Sequence, residues 1–92
     1  MFIIKAGHTC LHLAAMNGDL EITRVLLSHG ASTDVYSKFS KTCLHLACQN
    51  GYFSIVELLI KAGSKLDAQD MLKMTPLHWY EIHFYKLTTI GY

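Results

Sequence analysis

The sequence has no block of basic residues and few charged residues of either sign. Charged side chains make up 16% of its 92 residues against 51% for hydrophobic ones, and the formal net charge is +1. Proteins that hold nucleic acid through its phosphates gather Lys and Arg on one face or in one segment. We therefore expect no direct nucleic-acid binding, and the apolar content speaks against a disordered chain.

Long apolar runs are also missing. A helix that crosses a bilayer needs about 20 consecutive apolar residues. The opening MFIIK is apolar for only four residues and lacks the basic leader and cleavage site of a secretory signal. The three cysteines form an odd set, for which free thiols in a reducing compartment are the simplest interpretation. We expect an intracellular protein, nuclear or cytoplasmic, without a membrane partner.

Spacings typical of metal and catalytic sites are scarce. Cys and His recur as C-x-H at 10–12 and 43–45, but the C-x-x-C pair common in zinc sites is absent. No glycine-rich phosphate loop and no recognisable carboxylate pair is present. One alternative is an enzyme or metal protein that uses these Cys/His pairs, with Cys43 as nucleophile and His45 as base. The repeat described next explains both residues, so we expect no enzyme, metal, cofactor or small-molecule ligand.

What the sequence does have is an internal repeat of 33 residues. The tetrads TCLH, TCLH and TPLH begin at Thr9, Thr42 and Thr75. When residues 9–41 are laid over 42–74, 12 of 33 positions are identical, and nearly all are apolar, glycine or cap-type residues. Such periodicity is the signature of stacked structural units that share one core.

Each unit reads as two helices followed by a hairpin. Thr9 and Thr42 suit helix N-caps, and the apolar residues of each second helix recur at three- and four-residue steps. Residues that tolerate left-handed backbone mark the helix ends, namely Asn17-Gly18, Gly30, Asn50-Gly51 and Gly63. The polar segments 31–41 and 64–74 then lead to the next tetrad as extended hairpin arms.

A unit of this length and composition resembles the ankyrin repeat. The resemblance implies an all-α ankyrin-repeat solenoid of about two and a half repeats. Residues 1–8 are the end of a preceding hairpin, 9–41 and 42–74 are whole repeats, and 75–92 are a truncated third repeat with a divergent tail. Large residues of that tail either fold back as a makeshift cap or extend away, namely Phe84, Tyr85, Leu87, Ile90 and Tyr92.

Equivalent positions of the repeat suggest structural roles for the polar and thiol side chains. His12, His45 and His78 share one position, where the imidazole ties adjacent loops by hydrogen bonds. Cys10 and Cys43 share another, and we expect both to be small buried side chains. The remaining histidines are expected at the surface or in the tail: His8, His29 and His83.

The two hairpin tips, VYSKFSK (35–41) and QDMLKM (69–74), are the candidate binding surface. The tip position that is usually Gly in the family holds Ser40 and Lys73, and large apolar groups stand beside lysines. Phe39 and Leu72 either contact a partner or pack on the neighbouring hairpin. The predicted partner-binding residues are Met71, Leu72, Lys73 and Met74, and by repeat equivalence Lys38, Phe39, Ser40 and Lys41.

The stretch DMLKMTPLHW (70–79) is similar to the repeat junction of the GA-binding protein beta subunits, as is SIVELLIKAG (54–63). These subunits are the ankyrin-containing partners of an Ets-family transcription factor. The resemblance implies a non-catalytic protein that binds an Ets-family DNA-binding subunit through its tips and acts in transcription regulation. Two alternatives remain open: an intracellular ankyrin adaptor with another protein partner, and a truncated fragment without a function of its own.

Overall fold

The computed structural model describes residues 9–89, with side chains through residue 85. Five α-helices follow one another in this part of the chain. They are α1 (Cys10–Asn17), α2 (Leu20–Ser28), α3 (Cys43–Asn50), α4 (Phe53–Lys61) and α5 (Pro76–Thr89). The all-α solenoid predicted from the repeat is confirmed. The expected hairpin end at 1–8 lies outside the described residues.

Helix boundaries coincide with the cap residues of the repeat. The hydroxyls of Thr9 and Thr42 each accept a hydrogen bond from the amide three residues on, which satisfies one of the unpaired donors of the first turn. Gly18 and Gly51 end α1 and α3 in left-handed conformation, with φ of 72° and 75°. Both glycines have the role that their Asn-Gly pairs predict.

The helices form two layers around one core. The first helices α1, α3 and α5 pack side by side, while α2 lies against α1 and α4 against both α3 and α2. Leu11, Leu44, Ile55 and Leu59 are at most 2% exposed and belong to a single cluster. Neither unit closes this core alone, so each depends on its neighbour for burial.

α5 departs from the earlier first helices because it does not stop after eight residues. His83 and Phe84 stand where the earlier units have Asn-Gly, so nothing there favours a left-handed turn, and the helix runs on to Thr89. Phe84 and Tyr85 are 53% and 66% exposed, so these two side chains do not form the makeshift cap. Ile90, Tyr92 and the side chain of Leu87 lie outside the described residues.

His83, predicted as a surface or tail residue, lies in the tail within α5. Its ring is half-buried and meets the ring of Phe53 edge-on, with 6.2 Å between centroids. A Cβ atom at Gly51 would overlap the His83 imidazole, so this glycine is needed for close approach as well as for its backbone angle. His29 is exposed as predicted, and His8 lies outside the described residues.

The prediction of a buried thiol is confirmed for Cys43 and wrong for Cys10, which is exposed. The difference follows from the stack: α3 lies between α1 and α5, whereas α1 has one described first helix beside it. Burial raises the pKa of the Cys43 thiol to about 12 and that of the Cys48 thiol to about 11. Both thiols are therefore held neutral at physiological pH, the form that is a poor nucleophile.

Candidate functional site

Each hairpin tip is a tight turn closed by backbone hydrogen bonds. The amide of Ser40 donates to the carbonyl of Ser37 over 3.0 Å, and the amide of Ser37 donates to the carbonyl of Lys41 over 2.9 Å. The second tip repeats both bonds between Asp70, Lys73 and Met74. This is a type I turn followed by a left-handed residue, a common three-residue hairpin.

The left-handed residues are Ser40 and Lys73, with φ of 58° and 63°. They are the positive-φ residues other than glycine in the described chain. An L side chain in this region costs roughly 1–2 kcal/mol relative to ordinary backbone. The structure thus places Ser40 and Lys73 at the tip position that the sequence assigned to them, with strained backbone where the family usually has glycine.

Large apolar side chains project from both turns into solvent. Phe39 is 51% exposed, Met71 64% and Leu72 70%. Lys38 and Lys73 are exposed beside them. We refer to these five residues as the tip surface. Isolated exposed apolar groups are ordinary, but a cluster rimmed by lysines is typical of a contact area.

The two tips form one continuous surface because the backbone links them. The amide of Met71 donates to the carbonyl of Phe39 over 3.2 Å.

Two histidines of the repeat hold the ends of the hairpins. The Nε2 atom of His12 lies 3.0 Å from the carbonyl oxygen of Lys41, and that of His45 lies 2.9 Å from the carbonyl oxygen of Met74. The imidazoles of His12 and His45 thus tie helix starts to the loops that follow, as predicted from their shared position, whereas the hydrogen bonds of the exposed His78 ring go to Thr75 at the start of its own helix.

The geometry fixes the tautomer of His45. Its Nδ1 atom accepts from the amide of Thr42 over 3.1 Å, so the proton is on Nε2, which donates to Met74. Burial of the ring outweighs the hydrogen bond to Met74 and lowers the pKa of His45 below its usual value. A second proton on Nδ1 would face the Thr42 amide and break the cap.

Lys41, predicted as a partner contact, is engaged within the fold. Its Nζ atom lies 2.8 Å from Oδ2 of Asp70 and 4.0 Å from the centroid of the Trp79 ring. The Nε1 atom of Trp79 donates to the same carboxylate oxygen over 2.7 Å. One buried carboxylate therefore joins the first hairpin, the second hairpin and α5. Partner contact by Lys41 stays a prediction, with its ammonium group already paired.

Asp70 also organises its own turn. Its Oδ1 atom accepts from the amides of Leu72 and Met74 over 2.9 and 3.0 Å. Burial alone raises the pKa of this carboxyl, but hydrogen bonds from Lys41, Trp79 and these two amides outweigh it and hold the pKa well below its usual range. The role of Asp70 as a structural centre was not predicted from the sequence. The one local signal is its turn-forming position before the tip, since Asp is favoured at the first residue of a type I turn.

Of the eight predicted binding residues, five form the tip surface. Ser40 and Met74 are partly buried behind it, and Lys41 is in the Asp70 network. The described residues contain no group of three or more His, Cys, Asp or Glu side chains arranged to hold a metal ion. Within residues 9–89, no helix has the length and apolar character needed to cross a membrane.

Comparison with known proteins identifies the repeat. A family model described as ankyrin repeats in three copies matches residues 3–70. A search of curated protein sequences returned no significant match. The match covers α1 to α4 and ends at Asp70, within the second hairpin.

Proposed function

Because the chain belongs to the ankyrin-repeat family, a protein-interaction fold, we propose that its tip surface binds an Ets-family DNA-binding subunit in transcription regulation. The main support for this proposal is the exposure of the tip surface, in which Phe39, Met71 and Leu72 are each more than half exposed. The resemblance of residues 70–79 to the GA-binding protein beta subunits supplies the identity of the partner. Nuclear localisation belongs to the same proposal.

The chemistry of the tip surface supports a protein ligand. Desolvated apolar side chains contribute most of the energy of a typical interface, and charges at its rim select the partner. Lys38 and Lys73 flank the apolar groups, so the matching surface is apolar at its centre and acidic at its edge. The Met71–Phe39 backbone bond supports binding because two linked tips present the side chains already arranged.

Titration of the labelled chain with an Ets domain, followed by fluorescence anisotropy, tests the proposal. Leu72→Asp and Lys73→Glu are each expected to weaken binding by roughly tenfold, the loss expected when one interface contact of about 1.4 kcal/mol is removed. Neither change touches the core, so thermal unfolding stays within a few degrees of the parent chain.

Matched controls come from the same molecule. Lys65→Glu reverses an exposed lysine in the arm of the same hairpin, and Leu77→Asp adds a carboxylate at an exposed leucine on α5. Both are expected to bind as the parent does. If the Ets domain fails to bind a chain that unfolds cooperatively, the partner is a different protein and the adaptor alternative replaces this one. Equal loss from the tip variants and their controls would refute the tip surface as the site.

A further inference from the structure

An apolar groove of about 270 Å³ lies between α4 and α5, and Leu44 and Cys48 of α3 also line it. Its walls include Val56, Ile60 and Leu66 on one side and Pro76, Leu77 and Tyr80 on the other. Ile60, Leu66 and Leu77 are 45%, 57% and 61% exposed. This groove is distinct from the tip surface, with which it shares no residue.

The repeat itself shows what kind of element fits the groove. One unit earlier, 33 residues back, the wall positions are Thr23, Leu27 and Thr33 and then Cys43, Leu44 and Ala47. All but Leu27 are buried there, and Leu27 is partly buried. There α4 packs on α2 and α3, with Ile55 and Leu59 in the shared core, and α5 also packs on α3. The groove is thus the next seat for a helix in the same stack.

No described helix of this chain covers that seat. A second helix would have to turn back after the first, as α2 does at Gly18 and α4 at Gly51. α5 instead runs straight through this position to Thr89. Tyr80, where the earlier units have alanine, fills part of the seat with its ring, which lies 5.2 Å from the ring of Phe53. A helix bound here therefore lies slightly farther out than α4 does in its own seat.

We propose that α5 of a second copy of the chain covers this groove, with the two α5 helices antiparallel across a two-fold axis. Helices joined by a short turn are antiparallel, so a second helix in this seat would run opposite to α5, and a two-fold related α5 does the same. The dimer continues the established packing of first and second helices by one further helix, and it closes on itself as an isologous interface does.

The surface of α5 is suited to this pairing. Leu77, Tyr80 and Phe84 recur at the i, i+3 and i+7 spacing of one helix face, and Leu77 and Phe84 are more than half exposed. In an antiparallel pair, Leu77 of each copy meets Phe84 of the other, and the pair of Tyr80 rings lies near the axis. The extra length of α5 beyond the eight residues of α1 and α3 thereby acquires a partner.

Sedimentation equilibrium of the whole chain between about 2 and 200 μM, under reducing conditions that keep exposed Cys10 from cross-linking, tests the proposal. The interface is small, so dissociation constants in the micromolar range are expected. The mass should rise from 10.4 kDa toward twice that value. Leu77→Asp should raise the dissociation constant at least tenfold, and its carboxylate in the first turn of α5 suits the helix dipole and preserves the helix.

Two further variants keep the test decisive. Phe84→Glu weakens the dimer at the other end of the face, and it replaces Leu77→Asp if that variant has lost helical circular dichroism. Glu81→Gln removes a like-charge contact near the two-fold axis and should tighten the dimer several-fold. Leu72→Asp, the matched change on the tip surface, leaves the association unchanged. A monomeric mass throughout, or equal loss from Leu72→Asp and Leu77→Asp, would overturn the proposal.

Discussion

His45 has one side chain but supports two elements of its repeat. Its Nδ1 atom accepts from the Thr42 amide at the start of α3, and its Nε2 atom donates to the Met74 carbonyl at the end of the next hairpin. The residue is fully buried, so both bonds form away from water, where an unmade bond costs most. This arrangement requires the neutral imidazole.

Because this arrangement requires the neutral imidazole of His45, the stability of the fold should depend on pH. Because the folded pKa of His45 is below the unfolded value of about 6.5, its contribution is complete above that pH and is lost as the pH falls toward the folded pKa. One such group lowers the unfolding free energy by at most about 1.4 kcal/mol per pH unit. Urea unfolding at intervals from pH 7.5 to pH 5 measures this slope.

His45→Gln serves as the control for this prediction. Glutamine suits the third helical position of a capping box, so it retains part of the cap but does not titrate. The parent chain should lose more stability than the variant between pH 7 and pH 5. If the two curves run parallel throughout that interval, protonation of His45 does not limit stability.

Lys41 shows what single residues in a sequence cannot reveal. As a lysine next to a hairpin tip it has the same local setting as Lys38, and both were predicted to face a partner. The difference arises from Asp70, 29 residues later in the chain, and from Trp79 in α5. The repeat does not signal it either, since the residue equivalent to Asp70 in the first unit is Ser37. Contacts between units depend on pairs that do not repeat.

Among the elements, the hairpins hold strain that a glycine would relieve. Ser40 has φ of 58°, and a Ser40→Gly change removes the Cβ penalty of left-handed backbone. The greater freedom of glycine in the unfolded chain offsets part of this gain. We expect a net stabilisation of about 0.5–1 kcal/mol, measured by urea unfolding.

Lys38→Gly is the matched control in the same turn. Lys38 is not among the positive-φ residues, so glycine brings it only the entropic cost and should lower stability slightly. Stabilisation by both changes, or by neither, would contradict a specific strain at Ser40.

The helices show which elements a sequence defines and which it leaves open. α1, α2 and α3 begin at a residue whose side chain caps the helix, and α4 follows the Gly51 turn without such a cap. All four helices were predicted from the sequence. The Thr-Pro-Leu-His start of α5 matches the Thr-Cys-Leu-His start of α1 and α3, but the end of α5 is set by the absence of a stop signal at His83-Phe84. Without helix-terminating residues the sequence does not indicate where α5 ends, so its continuation to Thr89 was not predicted.

In the whole molecule, the carboxylate of Asp70 holds three successive units together. It receives Lys41 from the first hairpin, two amides of its own turn and the indole of Trp79 from α5. The side chain of Asp70 is 1% exposed and that of Lys41 16%, so this ion pair is largely buried away from water. Buried pairs of this kind are costly to break from one side, because the remaining charge has no partner.

Asp70→Ala is therefore expected to lower the unfolding free energy by about 3 kcal/mol or more. Asp67→Ala, which removes an exposed carboxylate from the same segment, should change it by at most about 0.5 kcal/mol. Because the network spans units, amide exchange should accelerate in the first hairpin (37–41) as well as in α5. Acceleration confined to residues 70–74 would show that Asp70 supports only its own turn.

In the parent chain the contribution of Asp70 to the unfolding free energy is complete above the unfolded pKa of about 3.9 and is lost as the pH falls below it. The fall in unfolding free energy below this pH should therefore be absent from Asp70→Ala. If the variant still loses stability there, other carboxylates cause the loss.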